Sequence, residues 1–223
     1  MNERFRKCCG EVITLLVARA SDVAKLLSQP PAGDEVSMKF GKIFEEEYTL
    51  ANHIYMRTGY TQVPRWFARK VAARLRLEGI YSRELVVKAY RAYATLLKAD
   101  IVGVKPPTHF RMFSGSLLIG AQPDLYDEST GTYYEFKLYP INEYAMAQAT
   151  VFAWVLRKPV VLVGLKEYSR EYMEVEKDVI SPPDDLKVDL EDLRRIAISE
   201  DFCTDPMIPL HRYVRYHSEC GES

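Results

Sequence analysis

Near residue 104 the hydrophobic period of this chain changes from helical to extended, and that change limits what it can fold into. Before it, apolar positions recur every three or four residues, and helix-ending signals stand at Pro30-Pro31, Gly59 and Gly79. These predict helices over 3–28, 36–58, 64–78 and 82–98, with Pro64 in the first turn of the third and Ser82 capping the fourth. After a Pro-rich bridge at 104–108, segments 110–114, 117–126, 132–139 and 160–165 are rich in β-branched and aromatic residues and read as strands. Ser129-Thr130-Gly131 is a hairpin turn, and Pro140 closes the third strand. A helix over 142–156, a strand over 172–179, a helix over 186–198 and an irregular tail complete the reading.

A three-stranded meander, a crossover helix and a returning strand give an α/β fold: one mixed β-sheet core behind an N-terminal helical portion. No internal repeat is visible, and 223 residues suffice for a single domain. Its parts are a helical portion over about 1–103, an α/β core over about 104–180, and a C-terminal helix and tail over 181–223.

Net charge is close to zero, so global charge alone predicts no polyanionic partner. The distribution is uneven. Arg65, Arg69, Lys70, Arg74, Arg76, Arg83, Lys88, Arg91 and Lys98 face only Glu78 and Glu84 in the same window, whereas 171–205 is acidic. A basic segment with Trp66, Tyr81, Tyr90 and Tyr93 interleaved fits a groove for single-stranded nucleic acid as well as it fits a solvated helix surface. Only seven Asn and Gln are present, a depletion that suits a hot-living source. No apolar run is long enough for a transmembrane helix. The N-terminal basic residues and short apolar run mimic a signal peptide, but Glu11 heads that run, and an amphipathic helix with Val12, Leu15, Leu16, Val23, Leu26 and Leu27 on one face fits better. A cytoplasmic protein is the expectation.

The chemistry concentrates in Gly120-Ala121-Gln122-Pro123-Asp124 and Glu135-Phe136-Lys137, which two antiparallel strands bring together. Alternation puts Tyr133, Glu135 and Lys137 on one strand face and Tyr134, Phe136 and Leu138 on the other. Pro123 removes a ladder donor just before Asp124, so a strand break or bulge there aims the carboxylate. Two carboxylates and a backbone carbonyl near Phe136 offer oxygen ligands to Mg²⁺ or Mn²⁺, and the lysine can orient a water or offset phosphate charge. An Asp followed by an acidic-x-Lys triplet arises by chance about once in a chain of this size. Asp185-Leu186-Lys187 is a decoy with no upstream Asp on a neighbouring strand.

Asp124 with Glu135-x-Lys137, on strands flanked by helices in this order, resembles the PD-(D/E)xK nucleases. Gly41-Lys42-Ile43-Phe44-Glu45 upstream and Gln148 downstream resemble the RecB-like branch of that superfamily, in which an acidic residue at the place of Glu45 approaches the metal. Glu46 and Glu47 are rivals for that place. The branch has Tyr four residues after the Gln; here Phe152 stands there, and Tyr144 lies one turn before. The resemblance spans about 38–165 and implies a metal-dependent DNA nuclease, an exonuclease acting on single strands or DNA ends. In it Asp124, Glu135 and Glu45 are ligands, Lys137 is catalytic and Gln148 contacts the strand.

In size and motif order the chain is most similar to the RecB-like exonucleases of CRISPR adaptation, which implies CRISPR integration proteins as partners and an iron–sulfur cluster on Cys8, Cys9, Cys203 and Cys220. Those relatives place one cysteine near the N-terminus and three near the C-terminus; here the division is two and two. Plain thiols or a disulfide, and zinc on Cys203, His211, His217 and Cys220, are the alternatives. The competing functions are a restriction-like endonuclease or junction resolvase, a non-catalytic DNA-binding subunit on the same fold, and a metal or redox protein built on the cysteines.

Overall fold

The computed structural model describes residues 11–167 and 173–204, with only the backbone of 11–13 and 201–204. It opens on strand β1 (Glu11–Arg19), followed by helices α1 (Ala20–Leu27), α2 (Glu35–Thr58), α3 (Pro64–Leu77) and α4 (Arg83–Lys98). Strands β2 (His109–Ser114), β3 (Leu117–Ala121), β4 (Leu125–Asp127) and β5 (Thr132–Lys137) come next. Helix α5 (Glu143–Leu156), strands β6 (Val160–Glu167) and β7 (Met173–Ile180), helix α6 (Leu190–Ile196) and strand β8 (Ile198–Thr204) complete it. The result is an α/β protein with N-terminal helices and two mixed four-stranded sheets, ordered β2-β3-β1-β8 and β4-β5-β6-β7.

Three sequence expectations are corrected. The helix expected over 3–28 begins only at Ala20, and residues 11–19 form β1, parallel to β3 and antiparallel to β8. A continuous apolar run rich in β-branched residues reads equally as a helix face or as a strand enclosed between two others, and its partners lie about 100 and 190 residues away. The tail expected to be irregular supplies one of those partners, β8, and the last helix is shorter than the 186–198 expected. The single sheet is in fact two: the break expected at Pro123 divides the strand read over 117–126, at Gln122-Pro123-Asp124. Its first half, β3, enters one sheet and its second half, β4, opens the other. Pro123, with no amide hydrogen, stands in that break.

The remaining elements follow their signals closely. Asp34 caps α2 by accepting from the Ser37 amide at 2.6 Å, and Gly59 ends it in a left-handed turn at φ 69°. Asn142 caps α5 in the same way, through the Ala145 amide at 2.9 Å. Strand β5 runs parallel to β6 with α5 as the crossover between them. Among the described residues no helix is long and apolar enough to cross a membrane.

The second sheet is covered on both faces, and alternation decides which side chain goes where. Tyr134, Phe136, Val161, Val163 and Leu165 pack against α2, α3 and α4. Tyr133, Val160 and Leu162 pack on the other side, with α5 and the first sheet. The helical layer is built around aromatic rings: Phe44 lies 5.2 Å from Phe67 and 6.2 Å from Phe136, and Tyr48 lies 5.2 Å from Phe136, centroid to centroid. The Tyr48 hydroxyl donates to the Ile101 carbonyl, so this buried phenol is satisfied. The ring of Phe136 thereby holds the end of β5 against the helices, while the flanking Glu135 and Lys137 point to the opposite face.

Gly164, beside Lys137 in the β5–β6 register, lets the chain turn closely after β5. A Cβ there would fall 2.8 Å from the Ile141 amide nitrogen and 3.2 Å from the Tyr139 carbonyl oxygen. The 139–141 segment is tied down by Leu165 donating to the Tyr139 carbonyl and by Ile141 donating to Glu176, each at 3.1 Å. Tyr139 therefore leaves β5 in a fixed direction.

Candidate metal-binding active site

Leu125 pairs with Tyr134 across the β4–β5 hairpin, and continuing that antiparallel register by one residue sets Asp124 opposite Glu135. The strand break at Pro123 leaves Asp124 without its ladder role, and its side chain takes over: Oδ2 accepts from the Phe136 amide at 2.9 Å. Lys137 donates to Glu135 Oε1 at 2.5 Å, the two side chains sharing one strand face at a spacing of two. A solvated strand face, the alternative open to sequence alone, is excluded. Asp124 and Glu135 are buried, and the Glu135 side chain is 3% exposed. Its second oxygen, Oε2, has no hydrogen-bond partner.

Burial and the neighbouring Glu135 push the Asp124 carboxyl well above the usual carboxylate range, against the opposing pull of Lys137 and the Phe136 amide. For Lys137, burial works against the charged form. The attraction of Glu135 and Asp124 wins and holds the ammonium above its usual range. The site thus holds a fixed positive charge and a carboxyl pair that resists carrying two negative charges at once.

The three consecutive glutamates on α2 take different partners. Glu46 and Glu47 both turn to Arg74 on α3. Glu45 turns the other way, accepts from Lys105 at 2.8 Å, and adds its negative charge to the field that raises Asp124. Two residues missed in the sequence belong here. Lys105 lies in the Pro-rich bridge, which reads as a linker; its partner is 60 residues away, so no local signal marks it. Tyr139 continues the parity of Glu135 and Lys137, a signal that was available. Burial raises its phenol, Lys137 opposes the rise, and Glu135, Tyr144 and Asp124 add to it, so Tyr139 stays a proton donor at neutrality.

Gln148 sits half-buried on α5 and lines a neighbouring cavity of about 420 Å³ with Arg19, Ser21, Gln122 and Glu200. Gln122, on its wall, stands two residues before Asp124 in the chain and donates to the Pro106 carbonyl. Tyr144 is turned to the Ser21 carbonyl, 3.3 Å away, and Phe152 is buried in the core.

In the basic segment, Tyr81 in the connection between α3 and α4 is 81% exposed, and Trp66 and Tyr90 on the two helices are also exposed. Tyr93 is not available for stacking on a base, because it is buried 4.0 Å from Phe67, ring on ring. It sits on the helix face that turns inward. The decoy acid Asp185 and Lys187 flank the buried Leu186 in the irregular segment before α6 and belong to no strand.

Cys8, Cys9, Cys220, His211 and His217 lie outside the described residues. Cys203 lies on β8, its backbone paired with Val12. Among the described residues no group of three or more His, Cys, Asp or Glu side chains is placed to hold a metal ion. In comparisons with known proteins, no family model, no curated protein and no solved structure matched the chain.

Proposed function

We propose that this protein is a divalent-metal-dependent deoxyribonuclease, an exonuclease of the RecB-like kind acting on single-stranded DNA or DNA ends. The observation that carries the reading is the unpartnered Glu135 Oε2, buried beside a buried Asp124 and backed by Lys137. A buried polar atom with no partner costs about 1–3 kcal/mol, more when charged, and such a cost is retained where a ligand offsets it. Oxygen donors suit a hard cation. Mg²⁺ in particular binds through one or two carboxylates, with waters and substrate phosphates filling the remaining positions, so a pair of acidic side chains is a sufficient protein share. Asp124 and Glu135 would hold the ion, with the Phe136 carbonyl and Glu45 at its margin. When bound, the ion supplies a water of lowered pKa and offsets charge on the phosphodiester.

The chain's own residues do the rest. Lys137, kept charged by both carboxylates, orients the attacking water and neutralises negative charge that grows on the phosphate oxygens. Tyr139 offers a proton to the same space. Gln148, Arg19 and Gln122 line one cavity, in which the strand beyond the scissile phosphate would lie. Trp66, Tyr81 and Tyr90, among exposed arginines and lysines, offer stacking faces to unpaired bases. The iron–sulfur cluster and the CRISPR integration partners rest on the resemblance alone, and visible absorbance of the purified protein reads the cluster directly.

The test is cleavage of end-labelled single- and double-stranded DNA with Mn²⁺, with Mg²⁺ and with EDTA. Mononucleotide release in either metal, abolished by EDTA and by Glu135→Gln, is expected. Cleavage that survives EDTA, or persists at the wild-type rate in Glu135→Gln, contradicts the proposal.

A further inference from the structure

Lys105 is held more firmly than a linker residue needs to be. Val104 and Tyr126 exchange two backbone hydrogen bonds, at 2.9 and 2.7 Å. Gln122 donates to the Pro106 carbonyl at 2.9 Å. At Gly103 a Cβ would stand 2.7 Å from the Tyr126 carbonyl oxygen, so the bridge lies flat against β4 and only glycine fits. These anchors fix the Lys105 backbone beside the segment that carries Asp124. From there its side chain reaches Glu45, 2.8 Å away on α2, with 39% and 33% of the two side chains exposed. An ion pair this exposed adds little to stability, so stability does not explain so specific a placement. The negative charges of Glu45, Asp124 and Glu135 all act on the Lys105 ammonium. The cation therefore sits in the field of all three carboxylates.

Of the two lysines here, Lys137 is locked: its side chain is 15% exposed and bound to Glu135. Lys105 is the more exposed one, a point charge on a four-carbon stem at the solvent side. A divalent ion held by Asp124 and Glu135 would also attract the Glu45 carboxylate and so would weaken its hold on Lys105. Once displaced, its nearest new anion is a phosphate of the substrate. We propose that Lys105 is a further substrate-contacting residue: it occupies Glu45 while the site is metal-free, yields that carboxylate to the ion, and then binds the phosphate of the strand being cut. This rests on the metal-dependent reading above.

The test uses the full chain and two readouts other than activity. Mn²⁺ is titrated calorimetrically without DNA, and binding of fluorescent oligo-dT is measured in Ca²⁺ across a salt series. For Lys105→Gln, expected to fold normally because the residue is half-exposed, Mn²⁺ should bind roughly three- to fivefold more tightly, the fold-change of releasing an exposed ion pair. Its oligo-dT affinity should fall, with the log–log salt slope shallower by about 0.7, one phosphate contact on a single strand. Glu45→Gln should lower Mn²⁺ affinity and leave the salt slope unchanged. Lys105→Gln weakening Mn²⁺ as Glu45→Gln does would make Lys105 a mere support for Glu45 and overturn the inference. An unchanged salt slope would overturn it as well. Failure of the metal reading shows separately, as wild-type Mn²⁺ affinity in both Asp124→Asn and Glu135→Gln.

Discussion

Asp124→Asn is expected to abolish DNA hydrolysis and, at neutral pH, to make the metal-free protein more stable than the wild type. Both effects come from one carboxylate. Its folded pKa is raised, by burial first and by Glu135 second, above the value of about 3.9 that it has in the unfolded chain. Between those two values the folded state binds the extra proton. Asp124 therefore contributes stability that is fully present below about pH 3.9 and is lost as pH rises through the folded pKa. As pH rises above about 3.9 the wild-type protein carries a growing cost at the buried Asp124 that an uncharged side chain does not carry. Asparagine is close in shape, keeps an oxygen to accept from the Phe136 amide, and carries no charge. A gain of about 1–2 kcal/mol is expected, or roughly 3–6 °C in Tm for a chain of this size. Thermal melts from pH 4 to pH 8 in EDTA read it: the variant's advantage should grow with pH and vanish at the acid end. The same substitution removes an anionic ligand, and cleavage in Mn²⁺ should fall on the order of 10³-fold or more. A variant destabilised at neutral pH would show that Asp124 is a structural partner of Lys137 and not a strained ligand.

Phe44→Ala is expected to have the largest effect on stability of any single substitution among the aromatic rings. Phe44 is fully buried, and its ring is 5.2–6.2 Å from those of Phe40, Tyr48, Phe67 and Phe136. Truncation loses the transfer free energy of the ring and leaves a cavity that four rigid neighbours cannot collapse to fill, a cost of about 3–5 kcal/mol. The expected fall in Tm is on the order of 10 °C. Urea denaturation should show a lower midpoint with an unchanged slope. Because Phe136 stands between Glu135 and Lys137, the loss should also loosen the end of β5 and lower cleavage at temperatures well below the melt. Tyr93→Phe, on the same layer, keeps the ring stacked on Phe67 and removes only the hydroxyl.

The difference between what the sequence shows and what it hides is largely one of distance along the chain. The cap at Ser82, the helix start at Asn142, the alternation of 133–138 and the hairpin at 129–131 depend on neighbours a few residues away, and each is where local chemistry puts it. Asp124 opposite Glu135 was legible for the same reason: one hairpin register sets it. Strands β1 and β8 were not, because an apolar run has no helical or extended identity until its partners, at 117–120 and 198–204, are known. The different directions taken by Glu45 and by Glu46 and Glu47 were hidden likewise. They depend on Arg74 drawing two of the three aside and Lys105 taking the third. Tyr93 was misread because a basic, aromatic segment does not by itself say which ring faces inward. Helix α4 buries Ala89, Ala92, Tyr93 and Leu96 as one stripe, a spacing that does.

The central claim, that Asp124 and Glu135 hold a catalytic divalent cation, is tested most directly by crystals of the full chain soaked in Mn²⁺ near pH 8, where Asp124 is most readily ionised. An anomalous difference map should show a peak in contact with both carboxylates, absent from Glu135→Gln crystals treated in the same way. A map with no peak there, while Mn²⁺ occupies other carboxylates of the same crystal, would contradict it.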